Sequence, residues 1–142
     1  MTIKETAGKI LLYFYQLQRT VPSNMRNRQL GFIDKSNGGV SLTSDKKWLT
    51  KDLLAVNPAS TDVFNAYMFL LNKGYIHARE RSITGAQIYV GTQVTETGID
   101  MIESIESGDQ GKEAFNSAFN IRVDDSTDVD ALIKENLSTL LS

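Results

Sequence analysis

The stretch FNAYMFLLNKGYI, residues 64–76, decides how the chain is read. Its apolar residues fall at helical spacing as far as Leu71. Lys73 and Gly74 then close the pattern, because a cation suits the negative end of the helix dipole and glycine suits the position just past a helix end. Pro58, preceded by Asn57, suits the other end, so the spacing predicts a helix over about 59–73. From Tyr75 the period changes to alternation, over 75–81 and again over 87–94, with SITGA between them as a turn.

On the N-terminal side, residues 3–19 read as a helix with Ile3, Ala7, Ile10, Leu11, Phe14 and Leu17 on one face, and Thr2 and Glu5 stand at capping-box spacing. Residues 20–39 are broken by Pro22 and by Asn/Gly clusters. Within them, FIDKSNGGVSL can form a hairpin turned by Gly38 and Gly39, with Val40 to Leu42 as a short strand. DKKWLTKDLLAV, residues 45–56, reads as a further helix with Ser44 as its N-cap. On the C-terminal side a helix is expected over about 96–107, with Thr95 or Thr97 as cap and Ile99, Ile102 and Ile105 inward; Gly108 ends it. EAFNSAF reads as a short helical turn and FNIRVD as a strand or extended arm. Residues 128–141 read as an amphipathic helix capped by Thr127, with Leu132, Leu137 and Leu140 in its stripe.

The order helix, strand, helix, helix, strand, strand, helix is that of a winged helix-turn-helix. VFNAYMFLLNKGYI resembles the passage from recognition helix to wing in small bacterial winged-helix regulators, and YVGTQVTETGIDMIESI resembles their strand-to-helix passage after the wing. The resemblance covers about residues 3–107. It implies an α+β, mainly helical fold, with a three-helix core, a β-hairpin wing and a C-terminal helical extension. Residues 1–107 would form the winged-helix domain and 108–142 an acidic extension.

For function, the resemblance implies a bacterial or phage DNA-binding regulator of transcription, with duplex DNA as partner. In such proteins the outward side of the third helix meets base edges and the wing meets phosphates. Carried over here, the outward positions are Thr61, Asp62, Phe64, Asn65, Met68 and Phe69. Asn65 has the chemistry to pair with adenine, and Thr61 to bond a base or a phosphate. Lys46, Lys47 and Lys51, with Lys73, Arg79 and Arg81, are the candidate phosphate contacts. Charge supports this division of labour: residues 1–95 hold 12 Lys/Arg against 6 Asp/Glu, a net of +6, and residues 96–142 hold 3 against 11, a net of −8. The opposing reading starts from the same helix. No Lys or Arg precedes Lys73 in it, and Phe64, Met68 and Phe69 together, with Leu132, Leu137 and Leu140 of the last helix, have the composition of a protein-contact surface. The chain would then be a non-catalytic interaction module. The stripe of the last helix has two readings as well, packing on residues 3–19 or pairing with its copy in a homodimer.

Enzymatic chemistry finds little here. The chain lacks cysteine and has one histidine, His77, which we expect to be structural in the first wing strand. DDSTDVD mimics part of a calcium loop, but Val129 stands where that loop needs glycine. SNGG and GDQGK lack phosphate-loop spacing. No cofactor and no metal are expected. A hydrophobic fraction of 41% with 23% charged residues is enough for a packed core, and no apolar run reaches membrane-spanning length. With no leader pattern in MTIKETAGKILLYFYQ, the expected location is cytoplasmic.

Overall fold

A computed structural model describes residues 2–20, 32–36, 39–43, 61–83 and 86–137. The fold is α+β and mainly helical. Its elements in chain order are α1 (Ile3–Thr20), β1 (Phe32–Ser36), β2 (Gly39–Thr43), α2 (Thr61–Asn72), β3 (Ile76–Ile83), β4 (Ala86–Val94) and α3 (Glu96–Glu103). A 3₁₀ turn (Ser104–Glu106), α4 (Asp109–Phe119) and α5 (Val129–Asn136) follow. The helix expected over 45–56 lies outside the described residues.

α1 is the axis of the molecule. The apolar spacing places Ala7, Ile10, Leu11 and Phe14 inward, and all four are buried. Leu12, Tyr13 and Tyr15 are buried too, and Ile3, expected on the inner face, is 40% exposed. A single stripe is too narrow a picture because α1 is enclosed from more than one side: α2, α3, α4, α5 and β4 all pack on it. The expected cap is present. The Glu5 N–H donates to Thr2 Oγ1 at 3.1 Å.

The strands form one antiparallel sheet in the order β2-β1-β4-β3. The β1–β2 hairpin therefore does not stand alone. Its Ile33, Asp34 and Lys35 pair with Tyr89, Ile88 and Gln87 of β4, so the expected two-stranded wing is half of a four-stranded sheet. Two strands alone bury too little to be stable, and a third and fourth strand supply the missing partners. A bulge between His77 and Arg79 breaks the β3–β4 register.

The C-terminal third closes the same core. EAFNSAF is part of a full helix, α4, and not a short turn; Phe115 and Phe119, one turn apart, are its buried residues. Asn120, in the left-handed region at φ 52°, ends it. Residues 120–124, expected as a strand or extended arm, belong to no strand, and Ile121 is buried. In α5, Asp128 caps the helix by accepting from the Ala131 N–H at 2.7 Å, where Thr127 was the expected cap. Val129, Leu132, Ile133 and Leu137 are buried in the cluster that also holds Ile10 and Phe14 of α1. Residues from both sides of Gly108 thus share one core.

Candidate nucleic-acid interface

The geometry of α2 follows from which of its side chains are locked. Ala66, Tyr67 and Leu70 are buried against the core. The Tyr67 ring meets Phe14 edge-on at 6.5 Å and lies 5.9 Å from the Tyr89 ring. Its hydroxyl and Thr92 Oγ1, both buried, share a hydrogen bond of 2.6 Å. Burial pushes the Tyr67 phenol up to about 12, against a smaller opposing effect of the Thr92 hydrogen bond.

The helix ends in a Schellman arrangement. The Tyr75 N–H donates to the Leu70 carbonyl at 3.0 Å and the Gly74 N–H to the Leu71 carbonyl at 3.1 Å. Gly74 has φ 77°, a conformation that costs glycine nothing. Thr95 then ties this turn to the next helix. Its N–H donates to the Tyr75 carbonyl at 3.0 Å, its hydroxyl donates to the Gly74 carbonyl, and the same hydroxyl accepts from the Gly98 N–H at 3.1 Å. A side chain at Gly98 would collide with the Tyr75 carbonyl, so that position must be glycine. The angle between α2 and the β3–β4 hairpin is fixed by backbone bonds and one hydroxyl.

Opposite the locked side, Asn65 and Asn72 are exposed, with Met68 and Phe69 half-buried between them. Lys73 is exposed, with Nζ 5.9 Å from the Phe69 ring centroid. Along β3, Ile76 is buried while His77, Arg79 and Glu80 are exposed. Of the residues singled out in the sequence, Asn65, Lys73 and Arg79 are therefore presented to solvent. The side chains of Thr61, Phe64 and Arg81 lie outside the described residues, as do Lys46, Lys47, Lys51 and Leu140 entirely.

Two groups need correction. Met68 and Phe69 are partly used by the core rather than fully offered to a partner. Leu132 and Leu137 are completely buried within their own chain, so the described part of this stripe packs inside the chain rather than facing a partner. Sequence reasoning passes over Asn72, although it lies seven residues from Asn65 and so returns to the same helix face.

Five of the acidic residues in the C-terminal part make structural contacts. The Tyr15 hydroxyl donates to Glu103 Oε2 at 2.8 Å, and the Val129 N–H donates to Glu106 Oε1 at 3.1 Å. Burial, helped by Glu103, pushes the Tyr15 phenol up to about 12. Arg19 pairs with Asp130 at 3.2 Å and lies 5.3 Å from the Tyr15 ring centroid. Asp124 accepts from Ser126 and Thr127, and those hydrogen bonds hold its carboxyl below the usual range. Among the described residues no cluster of His, Asp and Glu is arranged to hold a metal ion, and no helix is long and apolar enough to cross a membrane.

Comparison with protein-family models, with curated proteins and with solved structures found no match to this chain.

Proposed function

We propose that this chain is a winged-helix DNA-binding protein, a cytoplasmic regulator of transcription that lays α2 in the major groove and sets the β3–β4 hairpin against the backbone. One observation carries the reading. A helix locked on one side by Tyr67 and Leu70 offers Asn65, Asn72 and Lys73 on the other, and a hairpin with exposed Arg79 follows within a few residues. Asparagines are base readers, and cations at the helix end and on the strand are phosphate contacts. Most of the acids lie in residues 96–142, where Glu103, Glu106 and Asp128 serve caps and docking contacts, while Asp62 of α2 and the exposed Glu80 of β3 oppose phosphate.

The part of Met68 and Phe69 that the core leaves uncovered supports a second reading, in which the same face binds a protein. Fluorescence anisotropy of a labelled mixed-sequence duplex, titrated over a salt series, separates the two. The DNA reading expects micromolar binding whose logarithm falls steeply with the logarithm of salt. Lys73→Ala should lower that slope by about 0.9, the contribution of one phosphate contact. Absence of binding at low salt would rule the DNA reading out and leave the protein-contact reading.

A further inference from the structure

We infer that Gln18 of α1 is a positioning residue for the DNA-binding surface: it holds the root of the β3–β4 hairpin so that Arg79 meets the phosphate backbone while α2 lies in the groove. This rests on the DNA-binding function proposed for the chain. Gln18 is half-buried, and its carboxamide spans the backbone of Val94, 76 residues away. Oε1 accepts from the Val94 N–H at 2.9 Å, and Nε2 donates to the Val94 carbonyl at 3.5 Å. A carboxamide carries an acceptor and donors together, so it serves one backbone residue as a neighbouring strand would.

Val94 needs that service. Among the described residues, β1 pairs with β4 only from Gln87 to Tyr89, so the end of β4 has β3 on one edge and no described strand on the other. Val94 is buried, and buried backbone groups need partners. The bulge between His77 and Arg79 interrupts the β3–β4 ladder. It sets the root, where Ile76 pairs with Val94 and His77 with Gln93, apart from the regular part of the hairpin. The root therefore depends on its own attachments. Thr95 ties it to the Gly74 and Tyr75 carbonyls at the exit of α2, and Gln18 ties it to α1.

α1 is suited to be the frame because it also seats α2. Phe14 meets the Tyr67 ring edge-on at 6.5 Å, and Gln18 follows one turn later on the same face, about 6 Å along the axis. One helix thus holds both α2 and the hairpin root. Thr95 acts at the turn itself; Gln18 adds a second point of attachment, and two points define a direction. Arg79, exposed just beyond the root, takes its place relative to Asn65 and Lys73 from that direction. A charge-assisted hydrogen bond to phosphate requires a separation of about 2.8 Å, so a small swing of the root is enough to lose it.

The test is anisotropy of a labelled mixed-sequence duplex with the full chain over a salt series, at a temperature where circular dichroism shows every variant folded. Gln18→Met keeps the length of the side chain and removes both hydrogen bonds. It should weaken binding about five- to ten-fold near 0.1 M salt and lower the salt slope by about 0.9, the loss of one phosphate contact. Arg79→Ala should do the same. The double variant should bind no more weakly than either, because Gln18 acts through Arg79, whereas Gln18→Met and Lys73→Ala should multiply their separate losses. If Gln18→Met does not fold, Gln18→Asn takes its place in the same cycle, since it keeps the polar group but is one methylene too short to span Val94. A folded Gln18 variant that binds like the parent, with the slope unchanged, would make Gln18 purely structural and overturn the inference. Losses that multiply with Arg79→Ala, or an Arg79→Ala that binds like the parent, would overturn it too and leave DNA binding intact. No binding of the unaltered chain to duplex at low salt would sink both.

Discussion

The two ends of this molecule use polar residues for opposite purposes. Around α3, α4 and α5, carboxylates and hydroxyls finish the structure: Glu106 accepts from the start of α5, Asp128 caps it, Glu103 holds Tyr15 and Asp124 closes its own turn. On the outward line of α2, Asn65 and Asn72 have no side-chain partner among the described residues; the helix is capped by the backbone of Gly74 and Tyr75 instead. Of the acids behind the net of −8 in the last third, Glu103, Glu106, Asp124, Asp128 and Asp130 have structural contacts. Glu96, Asp109 and Asp130 stand in first helical turns, where negative charge is favoured. Polar residues with no structural task are the ones to suspect of a function.

The contrast breaks most visibly if the C-terminal end is pried from the rest. Gly111 sits in the first turn of α4, where an added Cβ would run into the Ser104 carbonyl of the 3₁₀ turn. Backbone cannot swing aside, so Gly111→Ala should cost about 3 kcal/mol or more, read as a lowered urea midpoint in circular dichroism. Gly8→Ala gives the milder version. Its Cβ would lie 2.6 Å from Ile121 Cδ1, a tip that can yield, and 2.8 Å from Phe119 Cβ, which moves only with α4, so about 1–3 kcal/mol is expected as the helices shift apart. Equal, small losses at both glycines would mean that α4 is a loose appendage, and the single-core description would fail.

Much of this is legible in residues 61–107. Gly74 and Lys73 mark the end of α2, alternation marks β3 and β4, and Thr95 marks the cap of α3; each signal is local and each element uses it. The misses share a non-local cause. α1 shows one stripe in sequence but is buried more widely, because α4 and α5 arrive from more than ninety residues away. α4 reads as a turn in the sequence since only Phe115 and Phe119 announce it, and its place depends on the Gly111 approach. For the candidate interface, the winged-helix resemblance names Asn65, Lys73 and Arg79, and the structure leaves all three exposed. The helical period is not enough to foresee the burial of Leu132 and Leu137, because a stripe says that something covers it and not what.

A middle-sized effect tests whether α2 is as firmly seated on its inner side as its outer side is free. Tyr67 is fully buried and its phenol sits near 12, above the 10.0 of an unfolded tyrosine. The folded state therefore holds a proton that the unfolded state releases between pH 10 and about 12, so stability is complete below pH 10 and falls as pH rises through that window. For this buried group the loss amounts to about 3 kcal/mol by pH 12. Urea midpoints measured from pH 8 upward should decline, and Tyr67→Phe should flatten that decline while lowering stability at pH 8 by about 1–3 kcal/mol, since Thr92 Oγ1 loses its buried partner. Tyr15, raised in the same direction, should leave a residual slope in the variant. A decline unchanged in Tyr67→Phe would place the alkaline sensitivity elsewhere and loosen the picture of α2.

The smallest effect is expected at the ion pair between α1 and α5. Arg19 and Asp130 are 42% and 81% exposed, so their 3.2 Å contact is made in water and screened by salt. Arg19→Ala should cost under about 1 kcal/mol, part of it from the lost stacking over Tyr15, and the difference should shrink in high salt. Leu132→Ala in the same helix as Asp130 should cost about 2–5 kcal/mol at any salt, because it empties a fully buried site. If apolar burial holds the acidic end in place, these two variants separate cleanly. A larger, salt-dependent loss for Arg19→Ala would instead make the ion pair the clasp, and the acids of α5 would belong with the polar residues that have work beyond finishing the fold.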